Sequence, residues 1–234
     1  METLWKIRVP VEDGKEKILF GIPTTQNELN DMFALRYSVY SERGYIEPNE
    51  QRSDRDEYDD DKHTQYFIAK IGEHIVGTVR MIRTTQLPLE KDCYTFDEPE
   101  AIRSIPRDKR IEIGRLVSTP LNAEEGIYFP RHVVMLGLLI SMIRFAQGEG
   151  LQGGYAFVKK GLYTKLHRVR IPVHPIVPAE KIYGKGILHK YFYEGEDVVP
   201  LYFLSKEVMR TLRFYTYFLR MPLSFMLYRY FLSR

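Results

Sequence analysis

The sequence predicts a mixed α/β domain in which a twisted central sheet is flanked by helices. Three observations support this prediction: a capped amphipathic helix near the N-terminus, a hairpin of two β-rich segments after it, and an apolar helix in the middle of the chain. The chain has 234 residues, 44% of them hydrophobic, and no long linker. We therefore expect one large domain over residues 1–204 and a helical C-terminal extension over residues 205–234.

The N-terminal segment is predicted to form strands around a turn at Asp13-Gly14. Apolar residues alternate before this turn, at Trp5, Ile7, Val9 and Val11. The pattern differs from the basic segment and apolar core of a signal peptide. Cys93 is the single cysteine, so a disulfide within the chain is impossible. Both features favour a cytoplasmic, reducing location.

The first helix is predicted between Thr25 and Gly44. Thr25 and Glu28 have the spacing of a capping box, and Gly44 is a favourable residue just past a helix end. Apolar side chains recur between them at helical spacing, at Leu29, Met32, Phe33, Val39 and Tyr40. Arg36 falls on the same stripe and is expected to face inward, where a guanidinium needs carboxylate partners.

A dense acidic cluster follows this helix, with Asp54, Asp56, Glu57, Asp59, Asp60 and Asp61 within eight residues. A run of charge is usually a solvated loop. Here the inward-facing Arg36 upstream and a second inward candidate, Arg80, downstream favour a functional cluster.

A hairpin is predicted next, with arms at Gln65–Ile71 and His74–Thr84 around a short glycine-containing turn. Gly77 in the second arm indicates a bulge or a close approach of backbone. An apolar helix follows over Val133–Ile143, too short to span a bilayer and therefore buried. The segments Ile171–Pro178, Lys181–Tyr193 and Val198–Leu204 are predicted to complete the sheet as strands.

The strand Arg110–Thr119 carries Glu112 and Arg115. Residues three apart in a regular strand point to opposite faces, so these two side chains would be separated. A bulge at Gly114 would bring both onto one side and leave ladder amides available for a ligand carbonyl. Such amides are suited to stabilise an oxyanion.

The charged residues fall in four successive motifs: Leu35-Arg36-Tyr37-x-Val39-Tyr40, Asp54-x-Asp56-x-Tyr58-Asp59, Gly77-Thr78-Val79-Arg80-Met81 and Glu112-Ile113-Gly114-Arg115. Together they resemble the motifs of the acyl-homoserine-lactone synthases, and equally those of the N-acyl amino acid synthases and exosortase-associated acyltransferases. The resemblance covers roughly residues 25–200. It implies the GNAT-like fold of the GCN5-related N-acetyltransferases and an acyltransferase activity, with the N-acyl amino acid synthases favoured.

The resemblance also implies a charged catalytic network of six residues, Arg36, Asp56, Asp59, Arg80, Glu112 and Arg115. Glu112 is the first choice of base for an acceptor amine, acting directly or through a water molecule. The arginines are expected to hold the acids, Glu112 included, in one cleft and to bind the acceptor carboxylate. The strand around Gly114–Val117 is expected to polarise the thioester carbonyl.

Substrate-binding residues are expected along the acceptor and acyl-chain pockets, at Asp54, Tyr45, Phe96, Leu116, Val117, Met135, Leu139 and Met142. Asp54 and Tyr45 stand where the lactone synthases usually have Glu and Trp. These two departures lie near the acceptor pocket of that family and favour an amino acid as acceptor.

The acyl donor is predicted to be the phosphopantetheine thioester of an acyl carrier protein. Acetyltransferases that use coenzyme A place a glycine-rich turn before the apolar helix to bind pyrophosphate, but Leu121–Ile127 carries acids there. Residues 159–170 contain five Lys or Arg and no acid. They are expected to dock the acidic carrier through Lys159, Lys160, Lys165 and Arg168. An ordinary basic surface helix is the alternative.

The C-terminal segment Ser205–Arg234 is basic and aromatic, with six Lys or Arg against one acid. This composition is typical of contact with a membrane surface or a partner groove. A peripheral position at the inner membrane is therefore one expectation, and packing of the segment on the parent domain or a dimer mate is the alternative.

Composition also bears on cofactors and partners. The net charge of +3 and the absence of a binding motif argue against nucleic acid, and the six histidines show no metal-ligand spacing. The sequence predicts transfer of a fatty acyl chain from acyl carrier protein to an amino acid, with no metal or bound cofactor. The alternatives are an acyl-homoserine-lactone synthase using S-adenosylmethionine, and a non-catalytic carrier- or lipid-binding module.

Overall fold

The computed structural model describes residues 1–11, 14–119, 131–182 and 197–219. The strands are β1 Glu2–Val11, β2 Gly14–Ile22, β3 Thr64–Ile71, β4 His74–Ile82, β5 Tyr94–Phe96, β6 Arg110–Ser118, β7 Gly153–Lys159, β8 His174–Pro175, β9 Ala179–Lys181 and β10 Val198–Leu204. The helices are α1 Gln26–Glu42, α2 Glu100–Arg103, α3 Arg131–Gly148, α4 Lys160–Arg168 and α5 Ser205–Leu219. Single turns also form at Glu57–Asp60, Leu89–Cys93 and Arg107–Lys109.

Eight strands form one mixed sheet in the order β1-β2-β3-β4-β6-β7-β10-β8, and β5 pairs separately with β9. Neighbouring strands of the large sheet run antiparallel except β6 and β7, which are parallel. Pairing of β6 with β7 ends at Ile113 opposite Ala156, although both strands continue beyond these residues. The sheet therefore splits between the ends of β6 and β7, and this split positions the site described below.

Helices cover both faces of the sheet. On one face, called the α3 face, α3 and α5 pack over strand residues such as Phe67 and Ile111. On the other, called the α1 face, α1 packs over Tyr66 and Ile68. Successive strand residues point to opposite faces, which explains why neighbours in β3 belong to different cores. The predicted mixed α/β class is confirmed.

Local features of the first helix and the hairpin agree with the sequence. Thr25 accepts a hydrogen bond from the Glu28 amide, and the Glu28 carboxylate accepts one from the Thr25 amide. Gly44 follows the end of α1 with a φ of +65°, a conformation that favours glycine. In β4 a bulge lies next to Gly77, where a Cβ would come within 2.6 Å of the Val134 side chain. Gly77 therefore allows α3 to lie close to the sheet.

The strands predicted after α4 are correct in part. Val198–Leu204 forms β10. Ile171–Pro178 is not a continuous strand, because only its two residues in β8, His174–Pro175, pair with β10. Three prolines in that segment, Pro172, Pro175 and Pro178, remove the amides that a ladder needs. Most of Lys181–Tyr193 lies outside the described residues, as does the Leu121–Ile127 stretch.

The helix α5 packs on the α3 face. Its residues Val208, Met209 and Leu212 are buried in the same core cluster as α3. Up to residue 216 the side chains of the extension therefore pack on the parent domain. Residues 220–234 lie outside the described part of the chain, and the boundary at residue 204 stays a prediction. Within the described ranges, no helix combines the length and hydropathy needed to cross a membrane.

Candidate functional site

Three arginines and three aspartates meet on the α1 face of the sheet. The arginines project from α1, β4 and β6, and the aspartates come from the loop between α1 and β3. We call this cluster the arginine–aspartate ring; its members are Arg36, Arg80, Arg115, Asp54, Asp56 and Asp59.

Arg36 anchors the ring from the buried side of α1, where its side chain is fully buried. Its Nε donates to Asp54 Oδ2 at 2.8 Å. Its Nη1 and Nη2 donate to the two carboxylate oxygens of Asp59 at 3.0 and 2.9 Å. This paired geometry is the strongest form of arginine–carboxylate bond, and it confirms that Arg36 faces inward.

The other two arginines close the ring. Arg115 donates from Nε to Asp54 Oδ2 at 3.0 Å and from Nη2 to Asp56 Oδ2 at 2.7 Å. Arg80 donates from Nη1 to Asp56 Oδ1 at 2.6 Å and to Asp59 Oδ1 at 2.9 Å. Each aspartate therefore bridges two arginines, and the acidic loop is fastened to the helix and to both strands.

Charge balance favours the ionised forms of Asp59 and Arg36. Burial opposes ionisation of Asp59, but hydrogen bonds and charges from Arg36 and Arg80 hold its pKa below the usual value. Burial likewise opposes the charge of Arg36, whereas Asp54 and Asp59 raise its pKa. Tyr66 donates a further hydrogen bond to Asp59 Oδ1 at 2.8 Å. Three positive and three negative charges thus neutralise one another within the site.

The predicted bulge in β6 is present. Between Gly114 and Val117, β6 has one residue more than the facing segment of β4. Arg115 occupies the bulge with a φ of +54°, a left-handed conformation that costs a non-glycine residue about 1 kcal/mol or more. The bulge turns Arg115 to the α1 face, where Glu112 also lies, because Glu112 binds Leu89 of the core cluster on that face.

Glu112 lies beside the ring rather than in it, which corrects the expectation that it would hold Arg36 and Arg80. Its Oε2 accepts a hydrogen bond from the Leu89 amide at 2.6 Å, and the residue is 2% exposed. Asp54, expected to bind substrate, supplies the third carboxylate of the ring instead. The turn that begins at Leu89 binds the Glu112 carboxylate and so keeps it out of the ring.

The environment of Glu112 favours its protonated form. Burial raises its pKa to about 8. The Leu89 amide and the charge of Arg80 act against this rise, whereas the negative charges of Glu90 and Asp92 add to it. A carboxyl group with such a pKa can exchange a proton near physiological pH, as a general base must.

A cavity of about 460 Å³ opens at the split between β6 and β7. Its polar end, on the α1 face, is lined by Tyr40, Arg43, Tyr45, Arg80, Glu112 and Arg115. Residues Gly114–Ser118 of β6 line the cavity between its two ends. The end on the α3 face, called the apolar chamber, is lined by side chains that include Met135, Leu139, Met142, Leu162, Leu166 and Val208. The volume is in the range of small-molecule sites.

Most of the predicted substrate-binding residues line this cavity: Tyr45, Leu116, Val117, Met135, Leu139 and Met142. Phe96 does not. It belongs to β5, which pairs with β9, and its ring packs edge-on against Tyr155 with centroids 5.5 Å apart. Arg36 and Asp54 also lie outside the lining, so Arg36 is placed to hold the ring rather than to contact an acceptor.

The four basic residues expected to dock the carrier protein do not lie on one surface. Lys159 ends β7, is 8% exposed and lines the cavity. Lys165 and Arg168 of α4 are exposed and stand at its rim. Lys160 points elsewhere and pairs at the surface with Asp197 at 3.1 Å. The division arises because Lys159 is a strand residue, whereas Lys160 begins the helix.

Several lining residues were not anticipated from the sequence. Arg43, at the end of α1, joins the basic rim. Leu162 and Leu166 in the chamber are four residues apart on an otherwise basic helix, a spacing that indicates an inward stripe. Val208 of α5 also lines the chamber, and Leu212, four residues later, is buried in the core without lining the cavity. Among the described residues, no group of His, Cys, Asp and Glu side chains is arranged to hold a metal ion.

The fold is that of the acyl-homoserine-lactone synthases. The crystal structure of the synthase LasI is similar over 83% of this chain and 94% of its own, with a TM-score of 0.61 and 17% identity. BjaI, a CoA-dependent acyl-homoserine lactone synthase solved with SAM and isopentyl-CoA, is similar over 84% of both chains, with a TM-score of 0.59 and 20% identity. FeeM, an N-acyl amino acid synthase from uncultured soil microbes, is similar over 82% of this chain and 92% of its own, with a TM-score of 0.57 and 12% identity.

The chain belongs to the N-acyl amino acid synthase FeeM family, whose family model matches residues 31–147. This half of the chain contains every residue of the arginine–aspartate ring together with Glu112. The resemblance inferred from the four motifs is thereby confirmed, and the protein is an acyltransferase-type enzyme. A comparison with curated proteins gave no match.

Proposed function

We propose that this enzyme transfers a fatty acyl group from the phosphopantetheine thioester of an acyl carrier protein to the α-amine of an amino acid. One observation carries the proposal: a single cavity joins an apolar chamber on one face of the sheet to a polar end with Glu112 and Arg80 on the other. An alkyl chain suits the chamber because its wall is formed by hydrophobic side chains. An amino acid suits the polar end because it carries both an amine and a carboxylate.

Glu112 supplies the base in this proposal. Its Oε2 is held by the Leu89 amide, so Oε1 accepts a proton from the acceptor ammonium. The amine nitrogen then attacks the thioester carbonyl carbon, and the carbon–sulfur bond breaks as the amide forms. The pantetheine sulfur leaves as thiolate and takes up the second proton, which the nitrogen releases as it becomes the amide. A positioned base of this kind typically contributes about 10²–10⁴ to the rate.

The bulged strand supplies the oxyanion contact. Beyond Ile113, β6 no longer pairs with β7, and its residues Gly114–Ser118 line the cavity between its two ends. Amides that face this part of the cavity can donate to the carbonyl oxygen as it gains negative charge.

Arg80 is the ring member best placed to bind the acceptor carboxylate. It lines the cavity, and its buried Nε has no hydrogen-bond partner among the described residues. An unpaired buried donor of this kind is costly unless a ligand or water completes it. Arg36 and Arg115 are engaged with Asp54, and their main role is to hold the loop and the bulge.

The basic rim favours an acyl carrier protein as donor. Arg43, Lys165 and Arg168 are exposed around the cavity entrance, and Lys159 lies deeper in it. Carrier proteins are strongly acidic, so this rim would steer their approach and hold the phosphopantetheine arm at the entrance.

The direct test is an assay of the purified protein with acyl carrier protein or coenzyme A thioesters as donors, and amino acids or S-adenosylmethionine as acceptors. Mass spectrometry is expected to find an N-acyl amino acid formed faster from the carrier thioester. An acyl-homoserine lactone would support the second candidate, which the fold shared with LasI and BjaI favours. Absence of both products would favour a non-catalytic binding module.

We further propose that the exposed side of α5 contacts anionic membrane. Lys206, Arg210 and Arg213 are exposed there, and Phe214 is 65% exposed, a pattern typical of interfacial helices. The full chain should co-sediment with phosphatidylglycerol vesicles more than with phosphatidylcholine vesicles, and reversal of Arg210 and Arg213 to Glu should abolish the difference. Equal sedimentation with both lipids would contradict the proposal.

A further inference from the structure

We infer that the C-terminal helix sets the length of the acyl chain that this enzyme accepts, because Val208 of α5 forms part of the wall of the apolar chamber. The inference rests on the proposed function, in which the chamber holds the acyl chain, and adds a residue that determines specificity.

Val208 is the link between α5 and the cavity. It lines the chamber and is 4% exposed. The next inward residues of the helix, Met209 and Leu212, are buried in the core without lining the cavity. Within the described part of α5, Val208 is therefore the side chain that a ligand in the chamber would meet.

Val208 lies on the face of the sheet opposite the proposed base. The base Glu112 lies on the α1 face of the sheet, whereas Val208 lies with α3 on the opposite face. A chain whose thioester carbonyl sits at the split must extend its methyl end into the chamber. Growth of the chain then brings that end against the chamber wall, which includes Val208 together with Leu201 and Phe203 of β10.

The α5 wall is fixed rather than adaptable. The Ser205 amide at its start donates to the Gln152 carbonyl at 2.8 Å, and the Tyr215 hydroxyl donates to the Val169 carbonyl at 2.8 Å. Between these two anchors, Leu212 is fully buried against the core. A close-packed wall of this kind does not yield easily to an additional methylene.

The test compares two substitutions at Val208 with a matched control. Val208→Met adds volume to the chamber wall, and Val208→Ala removes it. Val76→Ala is the control, because Val76 is 2% exposed in the same core cluster but does not line the cavity. Thermal unfolding of each variant establishes that it is folded before the binding measurements.

Isothermal titration with free fatty acids from hexanoate to palmitate measures the chain preference independently of any reaction. Val208→Met should move the optimum to shorter chains and weaken binding of the longest accepted acid by about tenfold or more, the usual discrimination for one excess methylene. Val208→Ala should move the optimum to longer chains, and Val76→Ala should leave it unchanged. The acyl lengths of products from mixed carrier thioesters should shift in the same directions.

The outcomes separate this inference from the proposed function. Length-dependent binding that follows Val208, without any acyl transfer, would support the chamber wall and overturn the reaction. If the wild type, Val208→Met and Val208→Ala all transfer acyl groups with the same length profile, the role of α5 is overturned and the proposed function stands. An equal shift in Val76→Ala would also overturn it, because the effect would then come from general loosening of the core.

Discussion

Replacement of Glu112 by Gln tests the site most sharply, because at alkaline pH it is expected to stabilise the protein while removing its activity. The substitution keeps the size of the side chain and an oxygen that can accept the Leu89 hydrogen bond. It removes the carboxyl group whose pKa burial raises to about 8. Stability and catalysis should therefore change in opposite directions at alkaline pH.

The stability effect follows from the raised pKa. The ordinary value of 4.5 applies to the unfolded chain, and about 8 applies to the folded one, so the folded protein binds more protons between these values. Its free energy of unfolding must then fall as pH rises through this window, with the loss complete above pH 8. At 1.36 kcal/mol for each tenfold change in proton affinity, the loss approaches roughly 5 kcal/mol. The Glu112→Gln side chain has no carboxyl proton to lose, so this variant does not undergo the loss of stability.

Chemical denaturation between pH 5 and pH 9 measures this difference. The stability of Glu112→Gln relative to the wild type should increase by several kcal/mol across the window. Glu73→Gln is the control, because the Glu73 side chain is 94% exposed and should give a flat difference. A flat difference for Glu112→Gln as well would show that Glu112 is ionised throughout and would refute the pKa reasoning.

The same variant tests the catalytic assignment. If Glu112 is the base, kcat/KM of the wild type should rise with pH towards a plateau above about pH 8, and Glu112→Gln should lower acyl transfer by roughly 10²–10⁴. The comparison uses the ratio of kcat/KM between wild type and variant at each pH, because titration of the acceptor amine affects both enzymes. Near-full activity in a folded Glu112→Gln variant would assign the base to another group.

Three further predictions concern the ring, the rim and the core. Arg36→Met should cost about 3–5 kcal/mol in chemical denaturation, because it removes one of the two arginine partners of both Asp54 and Asp59 and leaves a net negative charge in the buried ring. Arg55→Met breaks only the exposed pair with Asp60 and should cost within about 1 kcal/mol. Similar losses in the two variants would contradict the buried ring. Lys165→Glu should lower kcat/KM with acyl carrier protein by about tenfold at low salt and less at high salt, while Lys160→Glu should have a smaller effect because that residue lies outside the cavity. Gly137→Ala should lower the free energy of unfolding by about 1–3 kcal/mol, because the added methyl group would lie 2.1 Å from the buried ring of Phe20. Unchanged stability would show that α3 can move away from the sheet.

The sequence alone predicted the structure correctly where a short segment determines the local conformation. The capping box of Thr25 and Glu28 and the inward stripe that carries Arg36 depend only on helical spacing, and both are present. The bulge of β6 was also predictable, because only an extra residue near Gly114 can put Glu112 and Arg115 on one face.

The sequence was insufficient where distant segments compete for the same group. Spacing could not show that Asp54 rather than Glu112 would complete the ring, since that depends on the turn that begins at Leu89. Lys159 and Lys160 are adjacent in sequence, yet the junction of β7 and α4 sends one into the cavity and the other to the surface. Phe96 was misplaced for the same reason, because pairing of β5 with β9 is a long-range contact.

In the proposed reaction, the ring members other than Arg80 would act by holding the β6 backbone in place rather than by binding the substrate. Arg115 adopts a left-handed conformation that is unfavourable by itself, and its bonds to Asp54 and Asp56 hold it there. That conformation produces the bulge, and the bulge carries β6 into the stretch where it no longer pairs with β7. The split between these strands forms the passage in which a thioester would sit. Loss of a ring carboxylate should therefore impair catalysis through the geometry of the β6 backbone, even where the acceptor still binds.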